Sequence, residues 1–167
     1  MMIKSLTLNQ VVDTVRTPCD TLVLCHKNPD PDTLGSAFSL KCILEYFGSQ
    51  VTVACSDKAS SKFGFITGGC SLEYVARPYE RIIAVDVASP SQLGDLQFLS
   101  DKTDLIIDHH AMNTRFAPYY EDLGASCAEV IFSIYKELNI NLGLQFYTCI
   151  YAGMSGDTGG FRYSNET

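Results

Sequence analysis

The run Thr21-Leu22-Val23-Leu24-Cys25-His26-Lys27-Asn28-Pro29-Asp30-Pro31-Asp32 decides the fold. Its first five residues form a short apolar stretch, the pattern of a strand buried on both faces in a parallel sheet. A polar, proline-stiffened segment follows at once. From about Thr33 to Phe47, apolar residues then return at Phe38, Ile43, Leu44 and Phe47, which reads as a helix with Gly48 as its natural stop. Strand, polar loop and helix together make the repeating unit of an α/β sheet.

The same alternation extends in both directions. Upstream, Leu8, Val11, Val12 and Val15 have helical spacing; downstream, Gln50 to Cys55 reads as a second strand. Arg81-Ile82-Ile83-Ala84-Val85-Asp86 and Asp104-Leu105-Ile106-Ile107-Asp108 are two more apolar strands, each closing on an aspartate. The stretch from Lys58 to Val75 is less regular, with Phe63, Phe65 and Ile66 suggesting a short helix. Ser126 is placed to cap a helix that carries Cys127, Val130, Ile131, Ile134, Tyr135 and Leu138 on one face, and a last helix is expected from Leu142 to about Met154. The expected fold is a single α/β domain, an open, mostly parallel β-sheet with helices on both faces.

Bulk properties narrow the function. At 167 residues and 46% hydrophobic, the chain suits one domain with a real core. A net charge of −7 argues against general binding to nucleic acid, duplex DNA included. No stretch approaches the ~18 apolar residues of a membrane span, and no apolar signal-peptide core follows Met1-Met2-Ile3-Lys4-Ser5. The seven cysteines are odd in number, none forms Cys-x-x-Cys, and Cys25, Cys42, Cys55, Cys127 and Cys149 fall in apolar stretches. They read as reduced, packed thiols, which points to the cytoplasm.

The chemistry lies where the strands end. His26, Asp30 and Asp32 follow the first strand, Asp86 ends another, and Asp108-His109-His110 ends a third. In an open α/β sheet the carboxyl ends of the strands line one crevice, so residues distant in sequence meet at one rim. Aspartates gathered there repel one another unless cations lie among them. Carboxylate oxygen with imidazole nitrogen suits divalent ions of the manganese type, with magnesium as the alternative. Pro29 and Pro31 stiffen the backbone around Asp30 and Asp32, whose spacing lets each face a different ion. Singly, each piece has an ordinary reading: the Pro-Asp-Pro-Asp loop as a turn, a strand-end aspartate as a helix cap, the stretch around Gly156-Asp157-Thr158-Gly159-Gly160 as a flexible loop. Jointly they point to a metal site.

In this arrangement the chain resembles the DHH phosphoesterase superfamily, named for the triplet seen here as Asp108-His109-His110. Four blocks occur in order: His26-x-x-x-Asp30-x-Asp32, Asp86, the triplet, and Asp157 within Gly156-Asp157-Thr158-Gly159-Gly160-Phe161. Leu34-Gly35-Ser36, Asn113 and the last block look most like the branch of oligoribonucleases and 3′-phosphoadenosine 5′-phosphate phosphatases. The resemblance implies two divalent metal ions, Mn2+ with Mg2+ as the alternative. His26 and Asp30 would hold the first, Asp32, His109 and Asp157 the second, and Asp86 both. Asp86, Asp108 and His110 are the implied catalytic residues, with His110 on the substrate phosphate and Asp108 orienting the neighbouring histidine. Asn28, Asn113 and Arg115 are weaker substrate-contact candidates, and Lys27 and Arg162 are the other cations near the blocks.

The implied activity is hydrolysis of short oligoribonucleotides, nucleoside 3′,5′-bisphosphates or cyclic-dinucleotide products, by a hydroxide shared between two ions. The alternatives are a manganese-dependent inorganic pyrophosphatase, which shares Asn28-Pro29-Asp30, and a metal- or nucleotide-binding module with little turnover. The expected partner is short RNA or a nucleotide phosphate, not a membrane, and a homodimer stays open. Two departures stand out. Pro31 occupies a position where glycine is usual, and the C-terminal substrate-binding domain of family enzymes is absent from residues 1–167. The chain is therefore expected to be a fragment, with Ser164-Asn165-Glu166-Thr167 as the start of a connector.

Overall fold

The computed structural model describes residues 3–160 and Arg162. Phe161 of the last block and the stretch 164–167 lie outside the described residues. Helix α1 spans Leu8–Arg16 and opens on a capping box, in which Thr7 and Gln10 satisfy each other's backbone N–H. Strand β1 (Asp20–Leu24) leads through the polar loop into α2 (Pro31–Tyr46), and β2 (Gln50–Ala54) follows. The irregular stretch expected after Lys58 holds a 3-10 turn at Ser61–Phe63 that runs directly into the one-turn helix α3 (Gly64–Thr67). Strand β3 (Arg81–Val85) is buried throughout, as its apolar run requires.

Next come two 3-10 turns within Pro90–Lys102, broken at Gly94, whose φ of 58° is left-handed. Strand β4 is Leu105–Asp108, β5 is Tyr119–Glu121, α4 is Cys127–Leu138 and α5 is Leu144–Asp157. The sheet runs β2-β1-β3-β4-β5, and every neighbouring pair is parallel. Both of its faces are covered, though unequally. Val23, Cys25, Ile83, Val85 and Ile107 turn toward the α-helices, while Leu22, Leu24, Ile82, Ala84 and Ile106 pack under Leu93, Leu96 and Leu99 of the 3-10 segment. Beyond β5 the N-terminal segment continues the ladder, with Leu6 N–H donating to the Tyr119 carbonyl (2.7 Å) and Tyr119 N–H to that of Lys4 (3.0 Å). None of the described helices is long and apolar enough to cross a membrane. All seven cysteines are free thiols.

Three features of this order position the site. The chain leaves β1 toward β2 on one side and crosses back to β3 on the other. A topological switch point therefore falls between β1 and β3, where open α/β sheets have their crevice. Asp30 caps α2, its Oδ1 accepting from the N–H groups of Asp32 (2.9 Å) and Thr33 (3.0 Å), and Pro31 takes the first helical position, which needs no donor. The helix thus begins two residues before the start read from the sequence, and Asp32 lies on its first turn. Finally, α2 and α5 lie unusually close. A Cβ on Gly35 would fall 2.5 Å from the Cys149 carbonyl oxygen, and one on Gly156 2.9 Å from Pro31 Cβ. These glycines act as contact points, and α5 runs past Met154 to deliver Asp157 beside the start of α2.

Candidate metal centre

The structure gathers two triads. Nε2 of His26 lies 3.5 Å from Asp30 Oδ2 and 3.4 Å from Asp86 Oδ2. Nε2 of His109 lies 3.8 Å from Asp32 Oδ2 and 3.4 Å from Asp157 Oδ2. In each triad, His26–Asp30–Asp86 and Asp32–His109–Asp157, the ligand atoms lie within 4.8 Å of one another. Asp86 also joins the second triad, with its Oδ1 3.5 Å from His109 Nε2. Its two carboxylate oxygens thus face opposite ways, from a residue in the left-handed region (φ 57°) at the end of β3. Aspartate tolerates that conformation better than most residues, and strain of this kind collects at functional sites.

The backbone decides which imidazole nitrogen is available. His26 Nδ1 is 2.7 Å from the Lys27 carbonyl oxygen, and His109 Nδ1 is 3.2 Å from that of Gly124. A carbonyl only accepts, so Nδ1 carries the proton in both rings and each Nε2 faces the acids. Asp32 is almost wholly buried at the amino end of α4, where its Oδ2 accepts from Cys127 N–H (2.7 Å) and its Oδ1 from Ala128 N–H (2.9 Å). Two donors at a helix start suit a carboxylate.

Charges in the cluster are out of balance without a cation. Burial, together with the charges of Asp86 and Asp157, pushes the Asp32 carboxyl well above its ordinary range despite those donors. Burial and Asp86 likewise raise Asp157. Burial would also raise Asp86, but the imidazoles of His109 and His26 on either side hold it well below the usual carboxylate range. The histidines answer in kind. Burial disfavours their charge, yet Asp30 and Asp86 raise His26 to about 11, and Asp86 raises His109 to about 9. Among the described residues three buried side-chain polar atoms have no hydrogen-bond partner, Ser36 Oγ and, within the cluster, Asp86 Oδ1 and His109 Nε2. Buried polar atoms are normally satisfied, and the Asp86 and His109 atoms lie 3.5 Å apart in the shared space. Carboxylate oxygens and imidazole nitrogens left unsatisfied in this way fit a divalent cation once the rings give up their extra protons.

The remaining candidates divide. His110 Nδ1 lies 2.8 Å from Asp108 Oδ1, while Asp108 Oδ2 accepts from the Asn113 side-chain amide. Asp108 therefore grips His110 from beneath, and its hydrogen bond sets the His110 ring above its ordinary value although burial works the other way. Arg115 is drawn away from the cluster, paired with Glu121 at 3.0 Å and lying over the Tyr119 ring. Asn28 is held through its backbone N–H by Asp57 Oδ2 at 2.7 Å. Arg162 is exposed. Sequence reasoning missed the Gly124 carbonyl and the N–H groups of Cys127 and Ala128. The Ser126-x-x-Glu129 pattern marks that turn as a helix start and was the available signal.

Fold and cluster together define an α/β protein with a candidate divalent-metal centre at its switch point. The chain matches the DHH family, N-terminal domain, over residues 20–154, and it belongs to that family. Among curated relatives it is 29% identical over 154 residues to the probable bifunctional oligoribonuclease and PAP phosphatase NrnA of Streptococcus mutans, which covers 89% of this chain and 49% of that protein. It is 24% identical over 149 residues to the probable manganese-dependent inorganic pyrophosphatase of Lactobacillus gasseri, covering 82% and 47%. The chain thus spans about half the length of the curated relatives it matches. The crystal structure of an exopolyphosphatase-related protein from Bacteroides fragilis shares the fold with a TM-score of 0.86 at 19% identity, over 96% of this chain and 52% of that one.

Proposed function

We propose that residues 1–167 form the catalytic domain of a two-metal phosphoesterase acting on short oligoribonucleotides and nucleoside 3′,5′-bisphosphates, cyclic-dinucleotide products included. The observation that carries this reading is Asp86, whose two oxygens face the two imidazoles from between the triads. His26, Asp30 and Asp86 would hold one ion, and Asp32, His109 and Asp157, with the other oxygen of Asp86, a second. Bound divalent cations lower the pKa of water and neutralise phosphate charge, manganese being the best match to these donors. His110, gripped at Nδ1 by Asp108, donates from Nε2 to a phosphate oxygen in its imidazolium form, which the Asp108 carboxylate favours. Asn113 fixes the other Asp108 oxygen, so His110 is aimed before substrate arrives.

Basic residues are sparse around the cluster, since Arg115 is engaged by Glu121. A second domain, which the family resemblance implies and the relatives' greater length accommodates, would supply phosphate-binding cations and close the crevice. The free thiols and the nucleotide substrates accord with a cytoplasmic setting.

The test compares manganese-loaded and chelator-treated protein on a diribonucleotide, 3′-phosphoadenosine 5′-phosphate and pyrophosphate. Hydrolysis of the first two that is abolished by chelation and restored by Mn2+ is expected; turnover surviving exhaustive EDTA sinks the proposal. The pyrophosphatase relative supports a second reading, and dominant turnover of pyrophosphate would favour it.

A further inference from the structure

The second triad takes its shape from the five residues that open α4. Within 124–128, the Gly124 carbonyl holds His109 Nδ1, and the N–H groups of Cys127 and Ala128 hold the two oxygens of Asp32. Two of that triad's three side chains are thus aimed by one turn of backbone. His26 is held instead by the Lys27 carbonyl, and Asp30 by the N–H groups of Asp32 and Thr33.

Glu129 holds the turn itself. Its Oε2 accepts from Ala125 N–H at 2.7 Å, reaching past the cap residue to the peptide that follows Gly124. Its own N–H donates to Ser126 Oγ at 3.2 Å, a separate contact that caps the helix backbone. Gly124 lies directly beneath: a Cβ there would sit 2.7 Å from Glu129 Oε2. The carboxylate therefore fills the space a side chain at 124 would need. From behind, the segment is tied to the triplet strand through Asp122 N–H to the Asp108 carbonyl (3.3 Å) and Gly124 N–H to that of Asp122 (2.8 Å). The direction of the Gly124 carbonyl is fixed between these ties and Glu129.

We propose that Glu129 is a positioning residue for the second metal site. By pinning the Gly124–Ala125 peptide it keeps the Gly124 carbonyl on His109 Nδ1 and leaves Nε2 directed at Asp32 and Asp157. The inference rests on the reading that His109, Asp32 and Asp157 share an ion. Outer groups that orient a ligand imidazole commonly change metal affinity by ~10–100-fold. A residue that only stabilises α4 would act on the whole fold and on neither site in particular.

The test is Mn2+ titration of the metal-free chain, followed by calorimetry and by the electron paramagnetic resonance signal of coupled ions. The native chain, Glu129→Ala, Glu129→Gln and Ser126→Ala are compared, with a thermal melt of each. Native protein is expected to take up two ions. Glu129→Ala should bind the first normally, weaken the second by ~10-fold or more and lose the coupled signal. Glu129→Gln keeps an oxygen that can accept from Ala125 N–H and should restore most of the second event. Ser126→Ala removes a cap from the same helix and should melt lower while keeping both events. The proposal is overturned if Glu129→Ala binds both ions as native does, if it weakens both alike, or if Ser126→Ala weakens the second equally. A native chain that binds a single ion overturns the two-ion reading itself, and this proposal with it.

Discussion

A methyl group on Gly153 would lie 2.9 Å from Oδ1 of Asp32. The same methyl would stand 2.5 Å from Ala128 Cβ, in the turn that holds that carboxylate. Position 153 is therefore where the packing of α5 meets the geometry of the metal centre. Gly153→Ala should force α5 outward at a cost of about 1–3 kcal/mol. At roughly 2–4 °C per kcal/mol for a chain of this size, the melting temperature should fall by several degrees. Ion affinity should fall with it, because Asp32 and Asp157 are carried on the two helices being separated. A variant with native melting and native Mn2+ uptake would show that the helices have slack here.

Asp86 faces the imidazoles of His26 and His109 with separate oxygens, the only carboxylate to do so among the described residues. Asp86→Asn keeps the shape and removes the charge that both groups share. Turnover should drop by more than ~100-fold, beyond the usual effect of groups that merely orient ligands. Both ion-binding events should weaken together. Loss of one event alone would mean that the carboxylate serves a single ion.

Ion binding should depend steeply on pH. In the metal-free protein His26 titrates near 11 and His109 near 9, so both rings hold an extra proton at neutral pH. The raised Asp32 and Asp157 carboxyls compete in the same sense. A cation must displace these protons, so apparent affinity should rise with pH and binding should release protons. Calorimetry in buffers of differing ionisation enthalpy reads that release directly. Binding with no proton exchange at pH 7 would contradict the linkage.

Asn113 reaches no atom of the two triads yet donates to Asp108, which grips His110. Asn113→Ala should leave Mn2+ stoichiometry intact and lower kcat by ~10–100-fold, the range for lost orienting partners. An unchanged kcat would place His110 outside the reaction.

Much of this architecture can be read from the chain, for identifiable reasons. The strands at Thr21, Ile82 and Leu105 are buried on both faces, so hydrophobicity alone marks them, and each ends in the residues the crevice needs. Short or irregular elements escaped. Strand β5 is three residues long, Tyr119–Glu121, and has no room for a period. The 3-10 turns of Pro90–Lys102 bury Leu93, Leu96 and Leu99 at a spacing that helical expectation does not single out. Helix α5 runs past its expected end at about Met154, and Gly153 and Gly156 lie within it. In the fold they are the points where another helix touches, a property of the neighbour that local sequence cannot carry. Ser126 marks the turn after Gly124 as a helix start, but not what Gly124 does there, because its contribution is a backbone carbonyl, which any residue offers.

Asp157 at the foot of α5 has one further consequence. Its partners in the cluster include Asp32, near the chain's beginning, so an ion held between them closes a loop through most of the polypeptide. Such a clasp withdraws more freedom from the unfolded chain than a link between sequence neighbours would. Stripping the metal should therefore release the end of α5 first, and amide exchange there should quicken before the parallel strands register any loss.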